Sequence, residues 1–165
     1  LVIYHLKGQH FPASARYKGA LHFTARDITV ERPWLTEERR AEVADYDNAT
    51  LYNDSVVAAI AARYAQAPTV MLYFSDHGED CWDLAPMAAR NKQMPDDPAW
   101  VERQFSVPFF VWMSPEFMER YPQLVQRLRG AAGKPFSLGD LGQMVLGLCG
   151  VETPYYDPAL DPLHD

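Results

Sequence analysis

Thr69-Val70-Met71-Leu72-Tyr73-Phe74 is an unbroken apolar run that stops abruptly at Ser75-Asp76-His77-Gly78. β-branched and aromatic residues fill it, and Pro68 separates it from the preceding helical pattern. A run this short and this apolar predicts a buried strand. Such strands lie in sheets covered by helices, where ligands collect at the strands' carboxyl ends. Asp76 and His77 therefore stand where an α/β domain does its chemistry.

The rest of the chain is consistent with that setting. Leu1 to Leu6 predicts a second buried strand, ending at Lys7-Gly8-Gln9-His10, and Val107 to Met113 predicts a third. Residues 11 to 35 are irregular, and Thr36-Glu37-Glu38-Arg39 marks a helix start with acids in its first turn. Tyr52, Val56, Ile60 and Tyr64 recur every four residues, with Val57 and Ala61 alongside, and predict the apolar stripe of a helix over roughly 47 to 65. Residues 79 to 104, interrupted by Pro86, Pro95 and Pro98, form a long excursion of the functional rather than the idle kind. Ser114-Pro115-Glu116 opens a helix that runs to about Arg129. Ser137 to Asp140 opens another that ends near Gly150, and the tail from Pro154 predicts an extended surface segment. This order predicts an α/β fold with a partly parallel sheet flanked by helices. Because Leu1 stands inside an apolar strand pattern, residues 1–165 are expected to be a piece of a longer chain.

The 15 Lys and Arg against 22 Asp and Glu give a formal charge of −7, which argues against nucleic acid as a partner. The basic groups at Arg39-Arg40 and Arg127-Leu128-Arg129 fit solvated helix faces. Cys81 and Cys149 form no Cys-x-x-Cys pair, so a thiolate zinc site is not expected, and two buried free thiols are favoured over a disulfide. No apolar run reaches the roughly 18 residues of a membrane span.

Asp76 and His77 offer a carboxylate oxygen and an imidazole nitrogen, a mixed pair suited to zinc or manganese. Gly78 permits a sharp turn after the strand, and Glu79 is placed to orient the imidazole from behind. On the residues alone, a capping Asp76 and an ordinary hydrogen-bonding His77 fit equally well. His10 sits in a loop, His5 within an apolar run reads as a core histidine, and His22 and His164 have no supporting context. Asp80, Asp83, Asp96 and Asp97 lack the spacing of a calcium loop. There is no Gly-x-Ser-x-Gly elbow and no phosphate-binding glycine loop, and Ser75 points away from His77 in strand geometry.

Several segments in order carry a resemblance: Val2 to Pro12 with its His-x-x-Gly-x-His-like end, Arg16-Tyr17, Tyr46-Asp47-Asn48 with Tyr52-Asn53-Asp54, Tyr73 to Glu79, and Val107 to Trp112. Together they resemble the bacterial phosphoethanolamine transferases, of the sulfatase-like branch of the alkaline phosphatase superfamily. The resemblance covers residues 1 to 115 well and the remainder loosely. It implies a sulfatase-like fold, with residues 1–165 as an incomplete C-terminal portion of a periplasmic catalytic domain anchored in the inner membrane through an N-terminal region. It implies a threonine nucleophile that takes phosphoethanolamine from a lipid donor and passes it to an envelope glycan or lipid acceptor such as lipopolysaccharide. Zinc is implied at that threonine, a glutamate, and the positions of Asp76 and His77, with His10 at the phosphoryl group or a second metal. The threonine and glutamate of the family lie upstream of the segment equivalent to Leu1, so this chain alone is expected to be inactive and to bind zinc weakly. The loop after Glu79 has no histidine. It carries Arg90-Asn91, as in the subgroup acting on core sugars, where Arg90 is a candidate phosphate contact. A sulfatase or a phosphoglycerol transferase on the same scaffold, or a non-catalytic α/β interaction module, are the alternatives.

Overall fold

The computed structural model describes residues 1–88 and 96–164, which form two compact units. The first comprises residues 1–62 and 77–108. Its backbone is α1 (Glu37–Tyr64), a helix of 28 residues whose last two, Arg63 and Tyr64, are counted with the second unit. The two helical signals at Thr36 and at 47 to 65 are thus one helix, because nothing between them breaks the backbone ladder. Thr36 Oγ1 accepts from the amide of Arg39 (3.4 Å), and Glu37 and Glu38 meet the positive end of the helix.

The buried side of α1 coincides with the predicted apolar stripe only at Val57. It is Ala44, Asn48, Ala49, Asn53 and Val57, while Tyr52 is exposed. Small residues let the chain approach closely, and Asn48 gives the reason for a polar one. Its Oδ1 accepts from the amides of His22 (2.8 Å) and Phe23 (3.0 Å), and its Nδ2 donates to the Phe23 carbonyl (2.8 Å). One side chain thereby satisfies an irregular segment that has no strand partner. Nearby, the Tyr17 hydroxyl donates to Asp45 (2.6 Å).

A helix that the sequence pattern did not show, α2 (Pro98–Phe105), closes the first unit. Asp97 caps it by accepting from Ala99 N (2.9 Å), Pro98 occupies its first turn, and only Trp100 and Gln104 are buried. Two buried positions are too few to register as a helical period.

The second unit comprises residues 63–76 and 109–165. β1 (Val70–Phe74) pairs with β2 (Phe109–Met113) in antiparallel register, from Val70 opposite Met113 to Phe74 opposite Phe109. Both predicted strands form. Among the described residues, however, this pair is the whole sheet, whereas a partly parallel one was expected. Residues 1–6 are irregular, and Leu1 and Ile3 are 96% and 80% exposed. Apolar composition is not sufficient for a strand, which exists only through a ladder of hydrogen bonds to a neighbour.

Alternate residues of the pair, Val70 and Leu72 with Phe109, Val111 and Met113, pack against a core of Phe117, Val125, Leu128, Met144 and Leu163. These come from α3 (Pro115–Arg120), α4 (Pro122–Ala131), α5 (Leu141–Cys149) and the tail. Pro122, which cannot donate to the preceding turn, divides the predicted helix 114–129 into α3 and α4. Ser114 is fully buried. Its Oγ donates to Ala67 O (2.7 Å) and accepts from Thr69 N (3.0 Å) and Phe117 N (3.1 Å), tying the start of β1 to the cap of α3. Gly150, at φ +63°, ends α5 in the left-handed conformation.

The tail is pinned rather than extended over the surface. Buried Asp161 accepts from the Tyr156 hydroxyl (2.7 Å) and Leu163 N (2.9 Å), Arg127 Nε holds Leu163 O (2.7 Å), and Leu163 enters the core. Both cysteines are free. Cys81 is buried as expected, but Cys149 is exposed. No helix among the described residues is long and apolar enough to cross a membrane.

Candidate metal centre

β1 ends at Phe74, and Ser75 to Glu79 leave it as a bend. Gly78 sets the path of that bend. Its amide donates to Gln104 O (2.7 Å), and a Cβ at this position would lie 1.8 Å from Arg103 O. The loop therefore lies flat on the last turn of α2, which only a residue without a side chain allows. The glycine is required for close approach, not for an unusual φ.

Next to it, His77 Nδ1 lies 2.7 Å from Gly78 O. A carbonyl can only accept, so Nδ1 carries the proton and the lone pair of the neutral ring is on Nε2. The Gly78 carbonyl thus orients the imidazole through Nδ1. His77 is half-buried and Asp76 exposed. A neutral imidazole Nε2 and a carboxylate are suitable zinc donors. Among the described residues, no group of three or more His, Cys, Asp or Glu is arranged to hold a metal ion. Among the described residues Asp76 and His77 are therefore a partial ligand set, since zinc takes three or four protein ligands.

His10 repeats the same local device. Its Nδ1 donates to Phe11 O (2.7 Å), again assigning the lone pair to Nε2, and the ring is exposed. The loop that carries it is fixed from several sides. Gly8, at φ +49°, allows the turn in which His10 N donates to Lys7 O (3.1 Å). Arg16 donates through Nε to His10 O (2.6 Å) and through Nη2 to Phe11 O (3.4 Å), and the Phe11 ring stacks on Tyr46 (6.0 Å between centroids). Arg16, Tyr17, Tyr46 and Asn48, noted in the sequence as recurrent motif positions, thus build the frame rather than the chemistry.

The surroundings of Tyr46 are acidic. Burial, then Cys81, Glu79, Asp83 and Asp47, push the Tyr46 phenol up to about 12. Burial raises the Asp47 and Asp83 carboxyls, with Asp83 adding to the effect on Asp47. The Cys81 thiol is pushed up strongly by burial and by the carboxylates of Asp83, Asp47, Glu42 and Asp80, so it stays protonated and is a poor ligand or nucleophile at neutral pH. Asp80, fully buried, accepts from the amides of Asp83 (3.0 Å), Leu84 (3.1 Å) and Ala85 (3.0 Å) and serves the loop backbone.

Trp82 was not foreseen as special, and nothing in its type signals the φ of +65° it adopts. Its neighbours hold it there. Trp34 Nε1 donates to its carbonyl (2.9 Å), its own Nε1 donates to Glu42 (2.8 Å), and the Arg39 guanidinium lies 4.3 Å above its ring. His5, expected in the core, is exposed, because the segment around it forms no strand; His164 is exposed and His22 engages Asn48 only through its backbone. Arg90 lies outside the described residues.

Comparison with known proteins gives a consistent result. The family model described as Sulfatase matches residues 1–151. The phosphoethanolamine transferase EptC of Escherichia coli (strain K12) is 30% identical over 160 residues, covering 96% of this chain and 27% of the relative. The crystal structure of the C-terminal periplasmic domain of EptC from Escherichia coli superposes with a TM-score of 0.78 at 28% identity, covering 95% of this chain and 43% of that one. The same domain in complex with Zn gives 0.75 at 28% identity over the same shares. The chain thus spans about a quarter of the length of such a relative, and the α/β expectation agrees with the matched domain. An apolar strand closed by Asp-His-Gly, the frame around His10 and a family match over most of the length lead to one conclusion: the chain belongs to the sulfatase family, and phosphoethanolamine transferases are among its homologues.

Proposed function

We propose that this chain is the C-terminal part of the catalytic domain of a zinc-dependent phosphoethanolamine transferase of the bacterial envelope. The observation that carries the reading is the corner at Asp76-His77-Gly78, with His77 Nδ1 committed to the Gly78 carbonyl and its lone pair on Nε2. Asp76 and His77 are two of the zinc ligands, and zinc is favoured over manganese by the imidazole and by the zinc complex of the EptC domain. A threonine nucleophile and a glutamate ligand come from residues outside this chain.

Bound zinc lowers the pKa of a coordinated hydroxyl and neutralises phosphoryl charge. The chain's own contribution is geometric and acid–base. Gly78, flat on α2, holds the ligand pair in place. His10, its Nδ1 proton anchored on Phe11 O, presents Nε2 to take up a proton and deliver it to the departing oxygen of the lipid donor. The donor is a lipid carrying phosphoethanolamine, and the acceptor an envelope glycan or lipid. The domain works in the periplasm, anchored to the inner membrane by an N-terminal region. Arg90 is a candidate contact to the acceptor's phosphate.

The test uses the full-length protein in membranes with a phosphoethanolamine lipid. Asp76→Ala and His77→Ala should lose zinc together with transfer, whereas His10→Ala should keep zinc and lose transfer. Transfer at the parental rate in Asp76→Ala, or turnover of sulfate esters in place of the lipid, would sink the reading. The chain by itself is expected to bind zinc weakly and to transfer nothing.

A further inference from the structure

The buried face of α2 carries polar groups that have no hydrogen-bond partner among the described residues. Gln104 is 6% exposed and Trp100 is 2% exposed. Neither the Oε1 nor the Nε2 of Gln104, nor the Nε1 of Trp100, has a hydrogen-bond partner among the described residues, and all three atoms are shielded from bulk solvent. The two residues are four apart and so share one side of the helix.

An orphaned amide in a protein interior is strongly disfavoured, and a methionine or leucine of similar volume would avoid the penalty. The location makes the cost informative. The backbone oxygen of Gln104 is the one that accepts from Gly78 N, so the unsatisfied amide belongs to the residue against which the His77-Gly78 corner rests.

The donor set identifies the missing partner. Trp100 supplies one N–H, and Gln104 supplies an NH₂ with two N–H donors and a carbonyl acceptor. A phosphate or carboxylate would meet the Gln104 oxygen as a repelling neighbour, and a cation would meet the N–H donors. A neutral hydroxyl fits both roles, because its oxygen accepts from the N–H groups and its proton goes to Gln104 Oε1.

We propose that Trp100 and Gln104 form a buried binding site for a neutral hydroxyl oxygen behind the His77-Gly78 corner. Two sources share this chemistry: an ordered internal water, or a hydroxyl of the acceptor substrate. The second rests on the transferase reading; the first does not.

Gln104→Met and Gln104→Leu in the full-length protein separate them, since each removes hydrogen-bonding atoms with little change of volume. If the site holds a water, both variants lower the Tm of the substrate-free protein and leave KM for the acceptor unchanged. If it holds an acceptor hydroxyl, the Tm of the free protein is unchanged or higher. KM for the acceptor then rises about threefold to tenfold, with kcat less affected. If both variants raise Tm and leave KM and kcat at parental values, the groups bind nothing and the proposal is overturned. Gln104→Leu keeps the test decisive if Gln104→Met fails to fold. A protein without transfer activity would refute the transferase reading, while the Tm comparison would still decide the water site.

Discussion

Replacing Gly78 by alanine tests the link between fold and site most directly. The new Cβ would lie 1.8 Å from Arg103 O, 2.9 Å from Arg103 C and 3.1 Å from Gln104 Cα, all of them backbone atoms that cannot rotate away. Real Cβ contacts essentially never fall under 3.0 Å, so the loop and α2 must part by about 1.2 Å. The bond from Gly78 N to Gln104 O, 2.7 Å in the parent, then stretches beyond hydrogen-bonding range. Overpacking at about 1–3 kcal/mol and a lost hydrogen bond at about 1 kcal/mol give an expected destabilisation of about 2–4 kcal/mol. The same displacement moves His77, and zinc affinity should fall by about tenfold to a hundredfold, as when a supporting partner of a ligand is lost. Urea unfolding measures the first effect, and chelator competition in the full-length protein the second. Gly130→Ala in α4 is the control. No atom lies within 4 Å of its Cβ, so it should be neutral or stabilising by up to about 1 kcal/mol. Gly78→Ala unfolding within about 0.5 kcal/mol of the parent, with zinc binding unchanged, would show that the clamp does not position the ligands.

Two further predictions follow from the frame around His10. Asn48→Ala removes the bonds to His22 N, Phe23 N and Phe23 O and should cost about 2–4 kcal/mol, with loss of hydrogen-exchange protection at the His22 and Phe23 amides; unchanged protection would refute the anchor. Tyr46 should ionise near 12 rather than 10.0, because burial and then the neighbouring acidic groups disfavour the phenolate. Its folded pKa lies above the unfolded one, so its contribution to stability is complete below pH 10 and is lost as pH rises through about 12. The phenolate difference spectrum between the parent and Tyr46→Phe reports this, and a midpoint near 10 would contradict it.

Local chemistry was legible in the sequence wherever a short stretch is sufficient to specify its own conformation. The strands at β1 and β2, the Ser114-Pro115 cap, the stop at Gly150 and the polar corner after Phe74 all rest on neighbouring residues. What the sequence could not decide was which surfaces would meet. An apolar run at residues 1–6 resembles a strand whether or not a partner exists, and here none of the described residues supplies the ladder. The stripe at Tyr52, Val56 and Ile60 has the right period, yet the face with Asn48 is buried, because that residue satisfies a segment 25 positions away in the chain. Gly78 announced a turn, but only the tertiary structure shows that the backbone of α2 occupies the space of its missing side chain. The corner at Asp76 and His77 was therefore visible as chemistry from the sequence, while its support from α2 comes from a contact between residues 26 positions apart, which no local pattern encodes.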